Sequence, residues 1–88
     1  MDPKTIIRKA AEEETYYFDL PHALEEADKD GISVYDVEEV MKKGKINQRK
    51  PAQNRYRLKW KDIQIVVEIV DFDVDVITVM RDRRGENG

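Results

Sequence analysis

The chain has 88 residues, no cysteine, 40% charged side chains and a formal net charge of −3. This length supports one small domain with a modest core and excludes a large enclosed cofactor pocket. The lack of cysteine excludes a disulfide framework, a thiolate metal site and a cysteine nucleophile.

The opening residues read as a helix over about residues 3–13. Asp2 is a side-chain cap, Pro3 fits the first helical position, and Ile6, Ile7, Ala10 and Ala11 share one face. Glu12, Glu13 and Glu14 oppose the helix dipole at its C-terminal end, so the helix should stop there. Thr15 to Leu20 is expected to be an extended connector. Pro21 then opens a second, brief helix with Ala23, Leu24 and Ala27 turned inward, and Gly31 is placed to end it in a left-handed conformation. Ser33 caps a third helix, with Asp36 in the capping-box position and Val34, Val37, Val40 and Met41 as its buried stripe. Lys42 and Lys43 complement that helix's dipole before Gly44 terminates it.

After Gly44 the period changes to two. Pro51 makes residues 46–54 a loop, with a short edge strand at 45–47. Arg55, Arg57 and Lys59 then alternate with Tyr56, Leu58 and Trp60, the pattern of a strand with a basic face outward and an aromatic face on the core. A tight turn at Lys61 and Asp62 leads to Ile63, Ile65, Val67 and Ile69. Val66 and Val70 are apolar on the other side, which marks a central strand. A turn over 71–73 leads to a last strand carrying Val74, Val76, Ile77, Val79 and Met80. The expected architecture is α+β, with two to three N-terminal helices packed on an antiparallel three- to four-stranded sheet. It forms one domain over 1–81, followed by a polar, disordered tail over 82–88.

Charge is the most informative feature for function. Between Met41 and Asp62 there are nine basic residues and no acidic one, whereas residues 1–41 hold twelve acidic against four basic and residues 62–88 seven against three. Such a split concentrates positive potential on one part of the fold, able to hold phosphate or an acidic protein surface. No apolar run approaches the roughly 20 residues that span a bilayer, and the N-terminus lacks a secretory apolar region, so the expected location is cytoplasmic, without membrane contact.

His22-Ala23, then Gly31-Ile32-Ser33, Val37, Val40 and Gly44, a Tyr-x-Leu strand, two Val/Ile-rich strands and a closing Ile77-Thr78-Val79 together resemble the small bacterial and archaeal family called domain of unknown function 4258. The resemblance covers about residues 5–81, and its order of elements is more distantly similar to the MqsR-type and RelE-like ribonuclease toxins. It implies a toxin-type domain that binds or cleaves RNA, with RNA and an antitoxin-like acidic protein as partners. The sequence departs from the family pattern at Glu25, Glu26 and Asp28, where basic residues are usual, and at Met80, where an aromatic is usual.

Metal-independent RNA cleavage needs a base near the 2′-hydroxyl, an acid near the leaving oxygen and cations on the phosphoryl oxygens. His22, the only histidine, has the reference pKa suited to both proton-transfer roles, and Arg57 is the candidate charge stabiliser. Lys45, Arg49, Lys50, Arg55, Arg57 and Lys59 are the candidate RNA-binding set. No cofactor or metal is expected. Asp71, Asp73 and Asp75 superficially match a calcium loop, but Val76 stands where the loop glycine belongs, so these carboxylates are expected to sit in the turn and pair across the sheet with the basic strand. The aromatics Tyr16, Tyr17, Phe18, Tyr35, Tyr56 and Trp60 are expected mostly in the core. Besides a ribonuclease, two readings stay open. One is a non-catalytic module holding nucleic acid or an acidic protein, and the other is a domain retained for assembly or regulation whose basic edge is merely solvated.

Overall fold

The computed structural model describes residues 2–82. Three helices, α1 (Pro3–Glu13), α2 (His22–Lys29) and α3 (Val34–Lys43), accompany five strands, β1 (Tyr16–Phe18), β2 (Lys45–Lys50), β3 (Arg55–Trp60), β4 (Ile63–Val70) and β5 (Asp73–Arg81). The strands form one sheet in the order β1-β5-β4-β3-β2. β2 to β5 make the expected antiparallel meander, and β1 adds a parallel fifth strand through the pairs Tyr16–Val74, Tyr17–Asp75 and Phe18–Val76. The connector read at 15–20 therefore contains an edge strand. The edge strand at the other side is also longer than expected, running from Lys45 to Lys50 until Pro51 opens a single 3-10 turn.

The helix ends follow their sequence signals. Asp2 accepts from the Thr5 amide at 3.1 Å, and Ser33 and Asp36 close a reciprocal capping box on α3. Glu14 ends α1 in the left-handed region at φ 58°, and Gly31 follows α2 at φ 67°. Lys4 of α1 reaches across to the open end of α3, its Nζ donating to the carbonyls of Met41 (2.8 Å) and Lys42 (3.0 Å). These are among the carbonyls a helix leaves unpaired. Burial, with Arg8 adding, pushes the Lys4 pKa down.

One face of the sheet packs against the helices. Ile7, Ala10 and Ala11 of α1 and Val37, Val40 and Met41 of α3 meet Tyr56, Leu58, Ile63, Ile65, Val67, Val74, Val76 and Val79. Two residues assigned to this core lie partly outside it. Leu24 is 39% and Val34 42% exposed, and both line an apolar groove between α2 and α3 with Phe18, Ile32 and Val37. Among the aromatics, Tyr17, Tyr35 and Phe72 are exposed. Tyr16 packs against the core and donates its hydroxyl to Glu38, and burial, reinforced by that carboxylate, pushes its pKa up.

Among the described residues the other sheet face carries no helix, so the uncovered side of β4 exposes Val70 even though β4 is hydrogen-bonded on both sides. The last strand is tied down at its end, where Arg81 Nη1 donates to Asp62 at 2.7 Å and holds that carboxyl below its usual pKa. Asp82 accepts from Lys59, and the rest of the expected tail, residues 83–88, lies outside the described residues. Among the described residues no helix is long and apolar enough to cross a membrane.

Candidate functional site

The open sheet face is the place where the basic segment gathers. Cross-strand partners share a face, so the register fixes its membership. Leu58 and Tyr56 point into the core with their partners Ile65 and Val67, which turns Arg55, Arg57 and Lys59 outward beside Glu68, Val66 and Gln64. The period-two alternation of β3 thus sorts its side chains as expected. On β2, Lys45 lies opposite Lys59, Gln48 opposite Arg57 and Lys50 opposite Arg55, so these three join the open face.

Arg49 does not. It pairs with Tyr56 and therefore belongs to the helix side of the sheet. The cause is a bulge between Ile46 and Gln48. An extra residue in one strand inverts the alternation beyond it, moving Gln48 and Lys50 onto the face of Lys45 and removing Arg49. Lys43 and Lys61 are also elsewhere, flanking the Trp60 ring at 5.8 and 5.9 Å from its centre, and Lys42 lies 4.0 Å from Glu38 on α3.

The five cations of the open face differ in their partners. Arg55 Nε donates to Glu68 at 2.9 Å and Lys59 Nζ to Asp82 at 2.8 Å. β4 separates β3 from β5, so these two carboxylates, and not Asp71, Asp73 or Asp75, pair with the basic strand. Lys45, Lys50 and Arg57 have no carboxylate partner among the described residues. Arg57 stands out because its Nε is shielded from solvent and has no acceptor among the described residues. A shielded charged donor without an acceptor is held at a cost.

Two adjoining clefts meet at Arg57. One is lined by Lys50, Arg55, Arg57, Gln48 and Gln53 over Tyr56 and Val66, the other by Asn47, Gln48, Gln64 and Arg57. The amides were not among the residues singled out from the sequence. Gln64 was the detectable one, since it interrupts an Ile/Val run at the position that alternation turns outward.

His22 is remote from this face. It begins α2, its side chain is 64% exposed, and its Nε2 lies 3.2 Å from Glu26. α2 packs against β5, so β5 and β4 both stand between His22 and the Arg57 strand. At about 4.8 Å per strand spacing this is roughly 10 Å before the thickness of the sheet is crossed. The structure does not bring the two candidate catalytic residues together.

The acidic residues that follow His22 have a structural use. β1 pairs with β5 only as far as Val76, leaving the strand's outer edge uncovered beyond it. The Val79 amide donates to Glu26 at 3.3 Å and the Arg81 amide to Asp30 at 3.1 Å, so α2 carboxylates satisfy an edge that would otherwise accept another strand. Glu26→Ala should therefore lower stability by about 1 kcal/mol, the scale of one net hydrogen bond, and Glu26→Gln, which keeps an acceptor, by less. Urea unfolding of the two variants checks the order, and an equal loss would show that the Val79 bond contributes nothing.

The family model described as Domain of unknown function (DUF4258) matches residues 20–81, from the end of the β1 connection to the end of β5. The chain belongs to this family. Within the DUF4258 domain the match includes every residue of the open basic face as well as His22 and Glu26, and leaves α1 and β1 on its N-terminal side. The family description assigns no activity, and comparison with curated proteins and with solved structures finds no match.

Proposed function

We propose that this DUF4258 domain is a non-catalytic module that binds single-stranded RNA along the open face of β2 and β3. The observation that carries the reading is the gathering of Arg57, Lys45 and Lys50 on one face of the sheet, none of them with a carboxylate partner among the described residues. Phosphate groups supply the counter-charges that these three cations lack. The helix-free face leaves a strand room to lie along the sheet. Cleavage is not part of the proposal, because the one histidine is engaged with Glu26 behind β5, away from any phosphate that Arg57 would hold. The toxin-type reading implied by resemblance is kept in its binding half only.

A titration of labelled single-stranded RNA from 50 to 200 mM salt tests it. Each neutralised phosphate of a single strand contributes a log-log slope of about −0.7, so three unpaired cations predict a slope near −2. No binding at the lowest salt, or a flat salt dependence, overturns the reading, and shortening of the RNA during incubation overturns its non-catalytic part. A second reading is favoured by the free outer edge of β2, which is hydrogen-bonded on one side only: an acidic extended segment adding as a sixth strand. Binding of labelled polyglutamate together with no binding of labelled RNA at the lowest salt would select it.

A further inference from the structure

We infer that Asn47, Gln48 and Gln64 form a base-reading subsite for adenine beside the phosphate-binding cations. The inference rests on the RNA-binding reading above and assigns which part of a nucleotide the second cleft takes.

The two clefts that share Arg57 and Gln48 differ in chemistry. The first is cationic, with Lys50, Arg55 and Arg57 around it. The second has three amides, with Arg57 as its one charge. None of the three amide side chains has a hydrogen-bond partner among the described residues. A phosphate accepts hydrogen bonds and donates none, so it uses only half of an amide and meets the carbonyl oxygen unfavourably. The edge of a base presents donors and acceptors side by side and uses both. A nucleotide whose phosphate lies on the Arg57 side can therefore place its base over the amides.

The amides also select among bases. Adenine sets its N6 donor beside N7 on one edge and beside N1 on the other, and one Asn or Gln matches such a pair in bidentate fashion. Gln48 on β2 and Gln64 on β4 stand on either side of the Arg57 strand, so a purine with two mixed edges is held from both sides. A pyrimidine offers one such edge. Guanine has one mixed pair, O6 with N1, but its other edge, O6 with N7, holds acceptors only and calls for a guanidinium, and the one guanidinium of this cleft, Arg57, is taken by the phosphate in this arrangement.

The test compares labelled twelve-residue oligomers of adenosine, uridine and cytidine by fluorescence anisotropy. The adenosine oligomer should bind about tenfold more tightly, toward the low end of the discrimination of one bidentate contact. The double variant Gln48→Ala/Gln64→Ala should abolish the adenosine preference, bringing adenosine and uridine to one common affinity, while leaving the salt slope unchanged because neither amide carries a charge. Equal wild-type affinities, a preference for uridine or cytidine, or an adenosine preference that survives the double substitution each overturn the base-reading subsite while leaving RNA binding intact. Failure of all three oligomers to bind overturns the RNA-binding reading and this subsite with it.

Discussion

Replacing Gly44 by alanine should destabilise the domain by about 3 kcal/mol, the upper end of what overpacking a filled site usually costs. A Cβ on Gly44 would lie 2.4 Å from the Val40 carbonyl oxygen, 2.9 Å from the Lys59 carbonyl oxygen and 3.2 Å from a Val40 methyl. The first two atoms are backbone, one at the end of α3 and one in β3, so relief requires the helix terminus and the sheet to part. That same terminus is held by the Gly44 amide, which donates to Val40 at 2.8 Å, and by Lys4 on the Met41 and Lys42 carbonyls. The backbone angles at Gly44 are φ −68° and ψ 161°, which any residue adopts, so space is the whole reason for the glycine. Gly31 is the reverse case. Its φ is 67° with open space around it, so Gly31→Ala should cost only the conformational term of about 1 to 2 kcal/mol. Thermal unfolding separates the two, because a domain of this size loses roughly 4 to 8 °C of melting temperature per kcal/mol. A Gly44→Ala protein at least as stable as Gly31→Ala would show that α3 is not seated against β3 as described.

The two glycines illustrate what the sequence carries and what it does not. Both punctuate helices, and a pattern of capping signals finds them equally well. The left-handed backbone of Gly31 follows from that pattern, whereas the empty Cβ position that Gly44 needs depends in part on the Lys59 carbonyl, fifteen residues further on. The β3 alternation was legible because each residue's face follows from counting by two, and the structure places Tyr56 and Leu58 inward as that count requires. The same counting fails on β2, where the bulge after Ile46 exchanges the faces of Arg49 and Lys50. Nothing in the local composition announces that bulge. β1 escaped notice for a different reason: three residues are too few to show a period, and their strand character comes from pairing with Val74 to Val76, nearly sixty positions away. Glu26 likewise reads as a loss of positive charge on α2, while its use as acceptor for the Val79 amide, beside Asp30 on the Arg81 amide, depends on β5 outrunning β1.

Neutralising the three unpaired cations together, Lys45→Ala/Lys50→Ala/Arg57→Ala, should weaken RNA binding by at least 100-fold at low salt and flatten the log-log salt slope by about 2. Each phosphate contact removes about 0.7 from that slope, and charge-assisted bonds contribute roughly 1.5 to 3 kcal/mol apiece before competing losses. The folded state should tolerate the change, because none of the three makes an ion pair within the described residues and Arg57 gives up a shielded donor that has no acceptor. Arg55→Ala and Lys59→Ala should weaken binding less than any single member of the triple set, since Glu68 and Asp82 already occupy those cations and a phosphate would have to displace them. Arg49→Ala, on the other side of the sheet, should leave affinity within twofold, as should His22→Ala. This ranking separates a geometric site from simple attraction to a basic segment. A diffuse field would make the loss scale with the number of charges removed, whichever of the six basic residues they came from, and a triple variant of Arg49, Arg55 and Lys59 that lost as much affinity as the unpaired set would assign the binding to net charge and not to the open face around Arg57.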